Sequence, residues 1–151
     1  MARTNAVRGQ VIFDSKKFPK LPAEERLAVT AHELAHIRCR HSLFAGLILV
    51  SGSALAVVIA WSGSLILPTL VWLAFYTLMV FYRRSSEYQA DRIAASFVPP
   101  QSLISFLARS GSPGRLYMRI AVGLTHPRPE ERVDRLKRRL SGPPAAGEAS
   151  P

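Results

Sequence analysis

The chain alternates short segments of mixed polarity with one long stretch that carries no charge. From Ser42 to Tyr82, 41 residues contain no Asp, Glu, Lys or Arg. Inside that window, Leu43–Trp61 and Leu65–Tyr82 are apolar runs of 19 and 18 residues, separated by Ser62-Gly63-Ser64. Each is close to the roughly 20 residues that a helix needs to cross a 30 Å hydrocarbon core. A three-residue turn permits only an antiparallel pair. A soluble domain of 151 residues has too little interior to bury 41 apolar ones. The pattern predicts a transmembrane helical hairpin, 43–61 and 65–82.

The flanks read differently. After a polar arm, Gln10-Val11-Ile12-Phe13 is a short apolar run closed by Asp14-Ser15, and predicts one brief β-strand. Pro19 and Pro22 punctuate the turn that follows, and Pro22-Ala23-Glu24-Glu25 has the composition of a helix start, with acids at the positive dipole end. Beyond the hairpin, Ser85–Phe97 has helical composition and stops at Pro99-Pro100. An amphipathic helix, Gln101–Arg109, buries Leu103, Ile104, Phe106 and Leu107. Gly111–Gly114 reads as a turn and Leu116–Val122 as a short helix. A last helix, Glu130–Leu140, places acids first and bases last, and Ser141–Pro151 reads as a disordered tail.

Composition changes this picture in two ways. Lys and Arg outnumber Asp and Glu by 20 to 10, a net charge of +10 that invites a nucleic-acid reading. The bases flank the uncharged window, however, and membrane topology accounts for that placement better than a nucleic-acid partner does. Arg38 and Arg40 precede the first span and Arg83 and Arg84 follow the second, so both termini are expected on the cytoplasmic side. Trp61 and Tyr82 sit where interfacial anchors belong, and Trp72 reads as a packing residue. The single cysteine, Cys39, excludes an internal disulfide and suits a reducing compartment. Residues 1–10 lack the apolar core of a signal peptide.

The chemistry begins at His32-Glu33-Leu34-Ala35-His36, in a run free of Gly and Pro. On a helix, positions i and i+4 share a face about 6 Å apart along the axis, so both imidazoles can address one ion. Zinc accepts neutral His nitrogens, and Glu33, pointing partly away from both rings, is placed to hold a water as general base. A third protein ligand is required. Cys39 lies seven residues from His32, about 10 Å along a helix, too far to share the ion. Glu87 fits. If the metal helix runs on into the first span, His36 to Gly63 climbs about 40 Å and Gly63 to Glu87 descends about 36 Å. The hairpin then returns Glu87 level with the His pair. Asp91 shares its face and is placed to accept the free N–H of a ligating His.

The ordered set, His32-Glu33-Leu34-Ala35-His36, a hydrophobic hairpin, Glu87-Tyr88-Gln89-Ala90-Asp91, then Thr125-His126-Pro127 with Arg132 and Leu136, resembles HtpX-like membrane zinc metalloproteases. These are relatives of the CAAX prenyl protease and of Oma-type peptidases. The resemblance covers roughly Asn5 to Leu140 and implies a gluzincin site, with one Zn²⁺ per chain on His32, His36 and Glu87, Glu33 as general base and Asp91 behind the ligands. It also implies that His126 lies near the site and steadies the tetrahedral intermediate. From chemistry alone, His126 before a proline reads equally well as a turn residue. Arg132 either pairs with a site carboxylate or faces water. Longer relatives carry a further pair of spans and a roomier segment corresponding to that between Leu107 and Thr125.

The expected protein is mainly α: a small helical zinc peptidase domain over 1–140, interrupted by the membrane hairpin. It is expected in the cell membrane with its active site cytoplasmic. Its expected activity is endoproteolysis of membrane or misfolded polypeptides, as in quality control, with no nucleic-acid partner. The strand near Val11 offers an edge for an extended substrate, and two spans leave an oligomer or a membrane partner open. Two rival readings remain. An intramembrane zinc protease would carry its His-Glu motif inside a span, whereas Glu33 and Arg38 lie outside the uncharged window. A non-catalytic, membrane-anchored basic adaptor would account for the charge without the ordered metal set.

Overall fold

The computed structural model describes residues 2–5, 10–110 and 125–141 of the chain. Two strands, β1 (Ala2–Asn5) and β2 (Gln10–Phe13), pair antiparallel, with Ala2 opposite Phe13 and Asn5 opposite Gln10. One strand is expected from the sequence and two are found. Ala-Arg-Thr-Asn has no apolar alternation to announce a strand, and its pairing supplies the backbone partners that β2 would otherwise lack. Phe13 stacks on Phe18 with ring centroids 4.0 Å apart, closing the hairpin onto a 3₁₀ turn at Phe18–Lys20.

Helix α1 (Ala23–Arg38) begins after Pro22 with Glu24 and Glu25 in its first turn, and ends with His36 and Arg38 in its last. Both charge placements suit the helix dipole. It does not continue into the apolar run. Arg40 adopts a left-handed conformation, φ 52° and ψ 35°, and its carbonyl opens α2 (His41–Ala60) by accepting from the Phe44 N–H at 3.1 Å. The break redirects the chain between the His pair and the hairpin.

Past the turn at Gly63 (φ 81°), α3 runs unbroken from Ile66 to Ala94. Pro68 is tolerated because first-turn N–H groups have no helical partner anyway. The expected separate helix after the second span is thus the continuation of that span. Both α2 and α3 are long and apolar enough to cross a membrane, and the apolar stretch of each is almost wholly exposed. Neither apolar stretch is packed as a core helix within the described residues. The two helices meet closely at Gly52, where an added Cβ would collide with the Cβ and ring of Phe75. Trp72 stacks on Tyr76 one turn along the same helix, 5.3 Å between centroids, and stays 40 % exposed.

Helices α4 (Pro100–Ser110) and α5 (Pro129–Ser141) complete the domain. With α1 and the end of α3 they enclose a core of Ala28, Ala94, Leu103, Leu107 and Leu136, flanked by Val98, Phe106 and Val133. Glu25 on α1 pairs with Arg109 on α4 at 3.0 Å, while Arg84 on α3 pairs with Glu131 on α5 at 2.9 Å. The expected turn at 111–114 and helix at 116–122 lie outside the described residues, as does the tail from 142 onward; Ser141 itself ends α5.

Candidate metal centre

The buried face of α1 is Ala28, Val29, His32 and Ala35; that of α3 is Glu87, Ala90, Asp91 and Ala94. Both repeat at helical spacing, and the alanines, 0–2 % exposed, keep the backbones close. Close approach is what lets the side chains of His32 and Glu87 share one small volume. His32 Nε2 and His36 Nε2 are 3.1 Å apart, and Glu87 presents Oε2 at 3.5 Å to the first and Oε1 at 3.6 Å to the second. Among the described residues, these three form the group able to hold a metal ion.

The three separations can be tested against zinc. Zinc binds nitrogen and oxygen at about 2.0–2.2 Å, so two ligands of a tetrahedral ion stand about 3.3–3.6 Å apart. The two imidazole nitrogens stand 3.1 Å apart and each has a different Glu87 oxygen at 3.5–3.6 Å, while one ligand atom from each residue lies within 4.8 Å of the others, close enough for the three to converge on one ion. Two imidazoles and one carboxylate are also a donor set that zinc takes in catalytic sites, with a fourth position open. The residues present fit the ion.

Hydrogen bonds behind the triangle fix which nitrogens face it. Asp91 Oδ1 lies 3.0 Å from His32 Nδ1, which donates to it, so Nε2 is the nitrogen turned toward Glu87 and His36. His41 does the equivalent for His36. Its Nδ1 is 2.9 Å from His36 Nδ1 and its Nε2 is 3.2 Å from Gln89 Oε1. An amide oxygen only accepts, so His41 Nε2 donates to Gln89, His41 Nδ1 accepts from His36, and His36 Nε2 is left as a lone pair. Sequence reasoning missed His41. On one continuous helix it would stand five residues, about 140° around the axis, from His36. The left-handed break at Arg40 brings it back.

Arg132, near the start of α5, joins both carboxylates. Its Nε donates to Asp91 Oδ2 at 2.7 Å, its Nη2 bonds Asp91 Oδ1, and its Nη1 is 3.1 Å from Glu87 Oε2. Of the two placements open from the sequence, pairing is the one found. Burial would raise the pKa of both carboxylates, but the His32 hydrogen bond and the Arg132 charge hold Glu87 well below the carboxylate range. Arg132 and His32 do the same for Asp91. Burial opposes charge on His32, yet hydrogen bonds to Asp91 and Glu87 outweigh it and raise its pKa to about 9. His36, buried and beside His32, is lowered to about 4.

His126 lies just before α5, with Nε2 3.6 Å from Glu87 Oε1 and Nδ1 2.9 Å from Thr125 Oγ1. Arg84 Nη1 donates to its carbonyl at 3.4 Å, and burial lowers its pKa despite nearby Glu87. Glu33 is half-buried on α1 beside His32, and Cys39 caps the end of that helix outside the triangle. The structure thus brings together His32, His36, Glu87, Asp91, His126 and Arg132 from α1, α3 and the approach to α5.

The model of peptidase family M48 matches residues 5–140 of the chain. No curated protein and no solved structure matches it significantly.

Proposed function

The chain belongs to peptidase family M48, and from that premise we propose that it is a membrane-anchored zinc metalloendopeptidase. Its substrates are polypeptides, above all membrane or misfolded ones, cleaved at the cytoplasmic face. The observation that carries the reading is the cluster of His32, His36 and Glu87, one ligand atom from each lying within 4.8 Å of the others, a donor set that suits one zinc ion.

Held by His32, His36 and Glu87, zinc would supply Lewis acidity, lowering the pKa of a water toward about 7 and polarising the scissile carbonyl. Glu33, next to His32 in sequence and on the rim of the same helix, takes the proton from that water and returns it to the departing amine. His126 is neutral near pH 7, since burial lowers its pKa. With Thr125 O–H donating to its Nδ1, its Nε2–H, which faces Glu87 at 3.6 Å, would donate to the carbonyl oxygen as the scissile carbon becomes tetrahedral. Asp91 and His41 hold the two ligating rings, and Arg132 holds the carboxylates. The outer edge of the β1–β2 pair offers backbone groups to an extended substrate.

Membrane anchoring is supported by the exposed apolar lengths of α2 and α3, and the cytoplasmic assignment by the arginines at 38, 40, 83 and 84. His32 and Glu33 stand on α1, a helix separate from the spans, which argues against chemistry inside the bilayer. The test is Glu33→Gln in purified full-length protein. Peptide turnover is expected to fall about 10²–10⁴-fold while bound zinc stays at one per chain. Undiminished turnover would contradict the assignment of the base. Absence of zinc from the wild type, with lipid or DNA binding unaffected by a chelator, would favour a basic adaptor instead.

A further inference from the structure

Beside the metal centre, and separate from its ligands, a cleft of about 560 Å³ opens between α3 and α5. The α3 wall includes Phe81, Arg84, Tyr88 and Arg92, positions that recur at three and four residues and so share one helix face. The α5 wall is Arg132, Arg135, Leu136 and Arg139, again one face. Five arginines and one aspartate therefore line a single recess.

The five are not equivalent. Arg84 is paired with Glu131, and Arg132 with Asp91 and Glu87. Among the described residues, no carboxylate lies within 4 Å of a guanidinium nitrogen of Arg92, Arg135 or Arg139. All three are exposed, and Arg135 is held in place over the Tyr88 ring, 4.3 Å from its centroid. Three guanidinium groups lining one recess make it attractive to an anion, and planar forked donors suit phosphate oxygens.

The apolar surroundings favour a lipid over a free anion. The cleft lies at the end of the charge-free part of α3, and its mouth carries Phe81, 67 % exposed. One to three turns back along α3 stand Leu78, Leu73 and Leu70, each about half exposed. A free phosphate would leave this strip unused. A glycerophospholipid would place its phosphate among the arginines and lay its acyl chains along the strip.

We propose that the α3–α5 cleft binds the headgroup of an anionic membrane glycerophospholipid, with Arg92, Arg135 and Arg139 as its phosphate ligands. The site rests on the membrane reading of the hairpin. It sits one side-chain layer from the metal centre, because Arg132 and Asp91 belong to the walls of both. A bound lipid would thereby fix the depth of the active site at the membrane surface.

The test uses full-length protein reconstituted in phosphatidylcholine bilayers containing a minor fraction of phosphatidylglycerol, then extracted in mild detergent. Retained lipid is counted by native mass spectrometry. The wild type is expected to keep about one phosphatidylglycerol per chain and to discard phosphatidylcholine. Each of Arg92→Gln, Arg135→Gln and Arg139→Gln should weaken retention about fivefold, and the triple variant on the order of a hundredfold. Helicity and zinc content should be unchanged, which separates loss of the site from loss of the fold. Equal retention by the triple variant and the wild type overturns the proposal. So does displacement of the lipid by millimolar inorganic phosphate, which would make the cleft a site for the free anion. Protein that stays in solution without detergent would instead refute membrane insertion itself.

Discussion

His36 carries no carboxylate at its outer nitrogen, unlike His32, whose Nδ1 meets Asp91. Its orientation depends on neutral His41, which in turn depends on Gln89. Removing His41 would free the His36 ring to rotate and to change tautomer. His41→Ala is therefore expected to weaken zinc binding about 10–100-fold in chelator competition. His41→Asn, which keeps an acceptor, should recover part of that loss. Identical affinity in all three proteins would remove His41 from the site. At this scale the sequence displays the ligands well, because HExxH and the Glu87–Asp91 spacing both follow helical periodicity. It hides His41 and leaves Arg132 undecided, since both come to the site through a backbone break or a distant helix rather than through local spacing.

Helix α3 links the apolar hairpin to the metal centre, because one unbroken helix carries Phe75 opposite Gly52 and Glu87 opposite His36. Close packing at Gly52 therefore sets where Glu87 arrives. Gly52→Ala should cost about 1–3 kcal/mol through overpacking against Phe75, read as an earlier midpoint of helix loss in a denaturing detergent titration. Gly46→Ala provides the contrast. A Cβ there meets nothing within 4 Å, so it should be neutral or stabilising by up to about 1 kcal/mol through helix propensity. A later midpoint for Gly52→Ala would show that the contact does not hold the hairpin. The spans are plain in the sequence because length and hydropathy alone define them. The stop at Arg40 is not, since arginine is a good helix former and a left-handed arginine has no sequence signature. The continuity of α3 through Tyr82 is equally silent, as the change from apolar to charged composition looks like a boundary.

At the scale of the whole molecule, two segments 51 positions apart, at His36 and Glu87, form one site because a helical hairpin returns the chain to its starting level. On the proposed membrane reading, the same topology would put α1, α4 and α5 on one side of the bilayer. Cys39, the single cysteine, reports on it directly. A membrane-impermeant maleimide should label Cys39 in inside-out vesicles and spare it in intact cells. A Ser62→Cys variant that also carries Cys39→Ala should show the reverse, because Ser62 lies in the exposed far turn. Labelling of both positions from one side would exclude the hairpin. The architecture also gives the hairpin a second task besides anchoring, since it is the scaffold that delivers the third ligand.

Metal analysis of detergent-purified protein decides whether the hairpin delivers that ligand. The wild type should contain one zinc per chain. Glu87→Ala should lose it while retaining wild-type helicity, because Arg132 keeps its paired bonds to Asp91. Full retention of zinc by Glu87→Ala would contradict a site assembled across the hairpin.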